Sequence, residues 1–165
     1  MELLEIKKYI LFFIWGAFAI AKAPSCSYEK ERVFLTKEQK AALEKEGDNQ
    51  LTSSLIFRYH KICQGKKTQT IYLLTDILRT MNQTLAISVT DNGNISSIET
   101  KDFSEPIEYK APKKWLAQYK NKKLSNDLMI GKEIDGMTGA TLTTTSVNLL
   151  ARRALILEKV LGSKE

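Results

Sequence analysis

Hydrophobic and polar residues change their spacing along the chain, and each change marks an element. Residues 9–21 form an uncharged apolar run preceded by Lys7 and Lys8. At residue 36 the pattern becomes helical. Thr36 with Gln39 three positions later is a capping box, and the helix it opens runs through Ala41, Ala42 and Leu43 to a stop at Gly47. Strand-like segments rich in β-branched and aromatic residues follow at 55–62, 70–78, 84–90 and 95–100. Residues 64–67 read as a turn. The tight hairpin signal is Asp91-Asn92-Gly93-Asn94, because asparagine and glycine tolerate the positive φ that such turns need. A polar, proline-containing loop then leads to a short helix at 113–119. The last element, residues 143–161, places Val147, Leu150, Ala151, Ala154, Leu157 and Leu161 on one helical face, with Arg152, Arg153, Glu158 and Lys159 off that stripe. The expected fold is α+β: an antiparallel sheet with packed helices and a long C-terminal amphipathic helix.

The N-terminal run changes the domain picture. A basic start, an apolar core and the small residues Ala21, Ala23 and Ser25 describe a secretory signal over residues 1–23, with a cut after residue 25 as the alternative. An uncleaved anchor is the third reading. One domain, residues 27–165, remains. Cys26 follows Ala23-Pro24-Ser25, which lacks the apolar residue of a bacterial lipobox. Cys26 and Cys63 are the only cysteines, so they either pair with each other in an oxidising compartment or stay as two free thiols.

Composition narrows the chemistry. With 43% hydrophobic and 27% charged residues the chain is ordinary globular material. Its net charge of +6 comes from dispersed lysines, without the aromatic interleaving of a nucleic-acid surface, so no nucleic-acid partner is expected. Two cysteines and the single histidine, His60, supply no metal-ligand set and no catalytic pair. Neither a Gly-x-Gly-x-x-Gly fingerprint nor a phosphate-binding P-loop is present.

Chemistry concentrates in residues 135–143, Asp135-Gly136-Met137-Thr138-Gly139-Ala140-Thr141-Leu142-Thr143, directly before the long helix. Gly136 and Gly139 allow tight turns and a close approach of the backbone to a ligand. The helix start offers unpaired N–H groups and the positive end of a dipole, which suits a phosphate. Hydroxyls at Thr138, Thr141, Thr143, Thr144 and Thr145 crowd this terminus, and one of them could be esterified to that phosphate. Plain N-capping explains the same threonines, and the physics alone favours it.

The segment resembles the flavinylation motif of FMN-binding domains, found in flavin-bearing subunits of the sodium-translocating NADH:quinone reductase and of the Rnf complex. That pattern asks for Asp, Gly or Ala, any residue, Ser or Thr, Gly, Ala, Ser or Thr, any residue, and Ser or Thr. Asp135, Gly136, Thr138, Gly139, Ala140, Thr141 and Thr143 fill every specified position, with Leu142 at a free one. The likeness covers roughly residues 55–161. Phe103-Ser104-Glu105-Pro106 and Tyr109 are similar to the loop that helps enclose the flavin in relatives, although Pro106-Ile107-Glu108 stands where the large subunits carry Thr-Pro-Gly. Trp115, Gln118 and Tyr119 match a Trp-x-x-Gln-aromatic helix of small relatives.

The resemblance implies FMN, bound covalently to Thr141 by a phosphoester that a separate flavin transferase makes from FAD. Glu105, Tyr109 and Trp115 are its further candidate contacts, with Trp115 and Phe103 at least as well suited to the core. It implies an exported protein, in the periplasm or at the outer face of the cytoplasmic membrane, that passes electrons between membrane or periplasmic redox partners. The expected role is that of an electron carrier rather than an enzyme with its own substrate. The alternative is an accessory or sensory FMN-binding module of a membrane redox complex.

Overall fold

A computed structural model describes residues 25–46 and 53–162. The expected signal segment, its cleavage or retention as an anchor, and the helix stop at Gly47 lie outside the described residues. Five strands, β1 (Cys26–Phe34), β2 (Leu55–Cys63), β3 (Lys66–Leu78), β4 (Met81–Thr90) and β5 (Ile95–Phe103), form one antiparallel meander in sequence order. Helix α1 (Lys37–Lys45) joins β1 to β2, short α2 (Lys113–Leu116) follows β5, and α3 (Thr141–Gly162) closes the chain. The fold is the expected α+β.

Local signals explain most of these elements. Thr36 and Gln39 make both bonds of the capping box at the start of α1. The β2–β3 turn holds Gln64 and Gly65 at φ +53° and +75°, and Gly93 turns the β4–β5 hairpin at φ +71°. One sheet face presents Tyr72, Leu85, Ile87 and Val89 to α3, which answers with Val147, Leu150, Ala151, Ala154 and Leu157, all buried.

Three features differ from the sequence reading. No sequence pattern marks strand β1, since Ser27-Tyr28-Glu29-Lys30-Glu31-Arg32 is charged and largely exposed. It forms because it pairs with β2 along its whole length, from Cys26 opposite Cys63 to Phe34 opposite Leu55. Charges are at home on such an edge. Helix α3 begins at Thr141 rather than 143: the carbonyl of Ala140 already accepts the Thr144 N–H at 3.0 Å. Finally, Arg153 and Glu158 are buried, not off the core. Glu158 is tolerable there because the Tyr72 hydroxyl donates to it at 2.7 Å, with Thr70 Oγ1 at 3.4 Å. Burial pushes the Tyr72 hydroxyl well above its usual range, and the Glu158 carboxylate adds to that.

Cys26 and Cys63 form a disulfide that fastens the start of β1 to the end of β2. His60 has a structural setting: its Nε2 lies 2.7 Å from Glu31 Oε2, which also takes the Arg58 Nε–H at 2.6 Å. No cluster of metal-ligating side chains occurs among the described residues, and no described helix is long and apolar enough to cross a membrane.

Candidate flavin site

The chain reaches the start of α3 through a loop held at three points. Trp115, at the end of α2, donates its indole N–H to the Asp135 carbonyl at 2.8 Å. Gln118 accepts the Asp135 N–H through Oε1 at 2.9 Å. Both main-chain groups of Asp135 are thus fixed by one short helical turn, and the Asp135 residue as a whole is exposed. Two residues on, Met137 packs against the core. A tight turn follows, closed by the Ala140 N–H on the Met137 carbonyl at 3.2 Å, with Gly139 at φ +78°. A side chain at 139 would meet nothing within 4 Å, so glycine is needed for its backbone conformation, not for space.

Gly136 is different, and here the structure corrects the sequence reading. Its φ is not positive, and a Cβ would rest 3.6 Å from the Ile130 side chain, an ordinary contact. The tight turn belongs to Gly139 alone. That agrees with a pattern accepting glycine or alanine at this position.

The first turn of α3 is left open. Its cap residue, Ala140, has no side-chain acceptor to offer. The N–H groups of Thr141, Leu142 and Thr143 consequently meet no acceptor among the described residues. The threonine hydroxyls are not equivalent. Thr144 Oγ1 is spent on the carbonyls of Ala140 and Thr141 at 2.9 and 2.8 Å, and Thr143 is buried. Thr138 and Thr145 are exposed, but only Thr141 is both exposed and at the edge of a hollow with an open N–H row behind it.

That hollow, about 200 Å³, brings Glu105 and Tyr109 together with Gly139, Ala140, Thr141 and Leu142. Thr143 completes this wall, and Leu78, the last residue of β3, and Arg79, in the β3–β4 loop, also line it. Glu105 Oε1 is buried there without a hydrogen-bond partner. A buried acceptor left bare is costly, so this atom calls for a donor the chain does not supply. Asp135, Thr138 and Trp115 fall elsewhere. They line a separate hollow of about 570 Å³ with Pro112, Lys114, Gln118 and Met137, which does not include Thr141. Trp115 is buried, edge-on to Tyr119 at 5.7 Å, and acts on the site by holding Asp135. Phe103 is half-buried at the end of β5 and lines neither hollow.

Arg79 escaped the sequence reading. It sits in the two-residue loop between Leu78 and Met81, and its guanidinium lies 5.1 Å from the centre of the Tyr109 ring. No periodicity or motif links residue 79 to residue 141. Their proximity comes from the hairpin tip meeting the start of α3.

Residues 81–156 match the family model of the FMN-binding domain. This stretch is an FMN-binding domain. Its cofactor is FMN, and the chain has a flavin-binding role. A comparison with curated proteins yields no match. The matched stretch begins at Met81, so it includes the whole motif, Glu105, Tyr109 and Trp115, and it leaves out β1, α1, β2, β3 and Arg79. The residues present fit a phosphorylated flavin on three counts. A row of open N–H groups could receive phosphate oxygens, an orphaned carboxylate oxygen awaits a donor, and an exposed hydroxyl lies at the same hollow.

Proposed function

We propose that this FMN-binding domain carries its flavin covalently, as a phosphoester of Thr141, and relays electrons outside the cytoplasmic membrane. The observation that carries the reading is the start of α3. Thr141 presents a free hydroxyl at a helix terminus whose first N–H groups have no acceptor, beside the bare carboxylate oxygen of Glu105.

In this mechanism Thr141 is a substrate before it is an anchor. Its Oγ takes the FMN phosphoryl group from FAD, AMP leaves, and the hydroxyl proton is released. The flavin transferase supplies the machinery, since the described residues hold no metal-ligating cluster that could activate a phosphate. Afterwards the N–H groups of residues 141–143 and the helix dipole hold the remaining negative charge of the phosphodiester. Glu105 accepts a hydrogen bond from the cofactor, while Trp115 and Gln118 keep Asp135 and its loop in register. Asp135 is free to face the transferase. The bound isoalloxazine supplies one- and two-electron chemistry, and the protein supplies its position and surroundings.

Two further features support the cellular setting. The Cys26–Cys63 disulfide suits an oxidising compartment. The apolar run at 9–21 has the pattern of an export signal. Ile107 and Leu142, on elements that border the hollow, are exposed apolar side chains of the kind that partner proteins cover. Electron relay is tested with the exported, flavin-bearing protein mixed with energised membranes of its native host. The flavin absorbance should bleach and recover when an acceptor fraction is added. A flavin that stays oxidised beside respiring membranes contradicts the relay and leaves the accessory or sensory role.

A further inference from the structure

Arg79 is an oddity on three counts. Its φ of +49° belongs to the left-handed region, which costs a residue with a Cβ about 1–2 kcal/mol and which glycine or asparagine would take more cheaply. Its guanidinium lies over the ring of Tyr109, itself a wall of the Thr141 hollow. Yet its N–H edges donate to nothing among the described residues. An exposed guanidinium held over an aromatic ring, with no hydrogen-bond partner among the described residues, can donate to an acceptor in the hollow.

The phosphate needs no such donor, because the N–H groups of Thr141, Leu142 and Thr143 already face it. What remains is the rest of the cofactor. The pyrimidine edge of isoalloxazine is an imide, with carbonyl oxygens on either side of an N–H. It therefore asks for donors flanking an acceptor. Arg79 and Glu105 supply one of each, and they line one hollow.

We propose that Arg79 is a flavin-binding residue that meets the pyrimidine edge of the ring and stabilises the negative charge placed there by reduction. The inference rests on Thr141 carrying FMN. Two electrons and one proton convert the oxidised ring to its anionic reduced form. The proton goes to N5, and the charge spreads over N1 and the C2 carbonyl oxygen. A guanidinium at that edge favours the reduced form and lowers the affinity of N1 for its own proton. Because residue 79 precedes the matched stretch, the cation is supplied by the β3–β4 hairpin of this chain rather than by the family-matched segment.

The experiment uses the full-length, exported, flavin-bearing protein with dithionite as reductant. Wild type, Arg79→Asn and Arg79→Lys are compared by intact mass and by midpoint potential against pH. Asparagine removes the charge and suits the positive φ, so the turn should fold at least as well. Arg79→Asn should keep the flavin mass and shift the equilibrium about tenfold toward the oxidised form, roughly 30 mV lower for a two-electron couple. The inflection where N1 takes its proton should move to higher pH. Arg79→Lys should fall between the two. An unchanged potential and inflection in fully flavinylated Arg79→Asn overturns the inference. So does loss of the flavin mass in a variant that melts like wild type, because the arginine would then serve attachment. Absence of flavin from the unmutated protein would instead overturn the underlying assignment of Thr141, and this inference with it.

Discussion

Trp115 and Asp135, twenty positions apart, are joined by a 2.8 Å hydrogen bond from the indole N–H to the main-chain carbonyl. With Gln118 on the Asp135 N–H, this bond converts a short helix after β5 into the support of the loop that carries the cofactor. Trp115→Phe keeps an aromatic ring but leaves the carbonyl without its donor. It should cost about 1–2 kcal/mol in chemical denaturation and lower the fraction of protein that acquires flavin. Full stability with full flavin loading would show that the bond is incidental.

The two motif glycines should separate cleanly. Gly139→Ala forces a Cβ into φ +78° and should cost about 1–2 kcal/mol while displacing the start of α3. Gly136→Ala meets only an ordinary contact with Ile130 and should leave stability within about 0.5 kcal/mol. Equal losses in the two variants, measured by urea denaturation, would contradict the assignment of the turn to Gly139.

Much of the fold is legible in the sequence, and the exceptions share a cause. The capping box at Thr36, the Asn92-Gly93 hairpin and the apolar stripe of α3 are local patterns, readable over a few residues. Strand β1 is not readable, because its stability comes from pairing with β2 and from the disulfide rather than from its own residues. Charge alone puts Arg153 and Glu158 on the solvent side, whereas the structure buries both. The buried hydroxyl of Tyr72, which accommodates Glu158, is visible only once the sheet is assembled. The site divides in the same way. Residues 135–143 are recognisable as a block, but the clamp on Asp135 and the approach of Arg79 depend on elements far apart in sequence.

The disulfide should matter to stability more than its exposed position suggests. It ties together residues 37 positions apart, closing a loop that includes all of α1. Cys26→Ser, or reduction of the wild type, should lower unfolding free energy by roughly 2–4 kcal/mol and expose β1 first to protease. A guanidinium titration unaltered by reductant would contradict this.

Acid stability should depend on Glu31. The hydrogen bond from Arg58, helped by that from His60, holds its carboxyl below the usual glutamate range. A depressed carboxyl stabilises the fold above its unfolded value, about 4.3, and that contribution fades as pH falls through the folded value. Melting temperature should therefore drop less steeply below about pH 4.3 in Glu31→Gln, which starts lower at neutral pH. Parallel wild-type and variant profiles from neutral to strongly acid pH would remove Glu31 from the account.

Attachment of the flavin to Thr141 is read directly from the intact mass of the denatured protein. The protein is exported from a host that also makes a flavin transferase. The wild type should gain the mass of FMN less one water, Thr141→Ala should gain nothing, and both should melt alike. An unmodified wild type under conditions that flavinylate a known relative would contradict the claim, as would a Thr141→Ala variant that keeps the added mass.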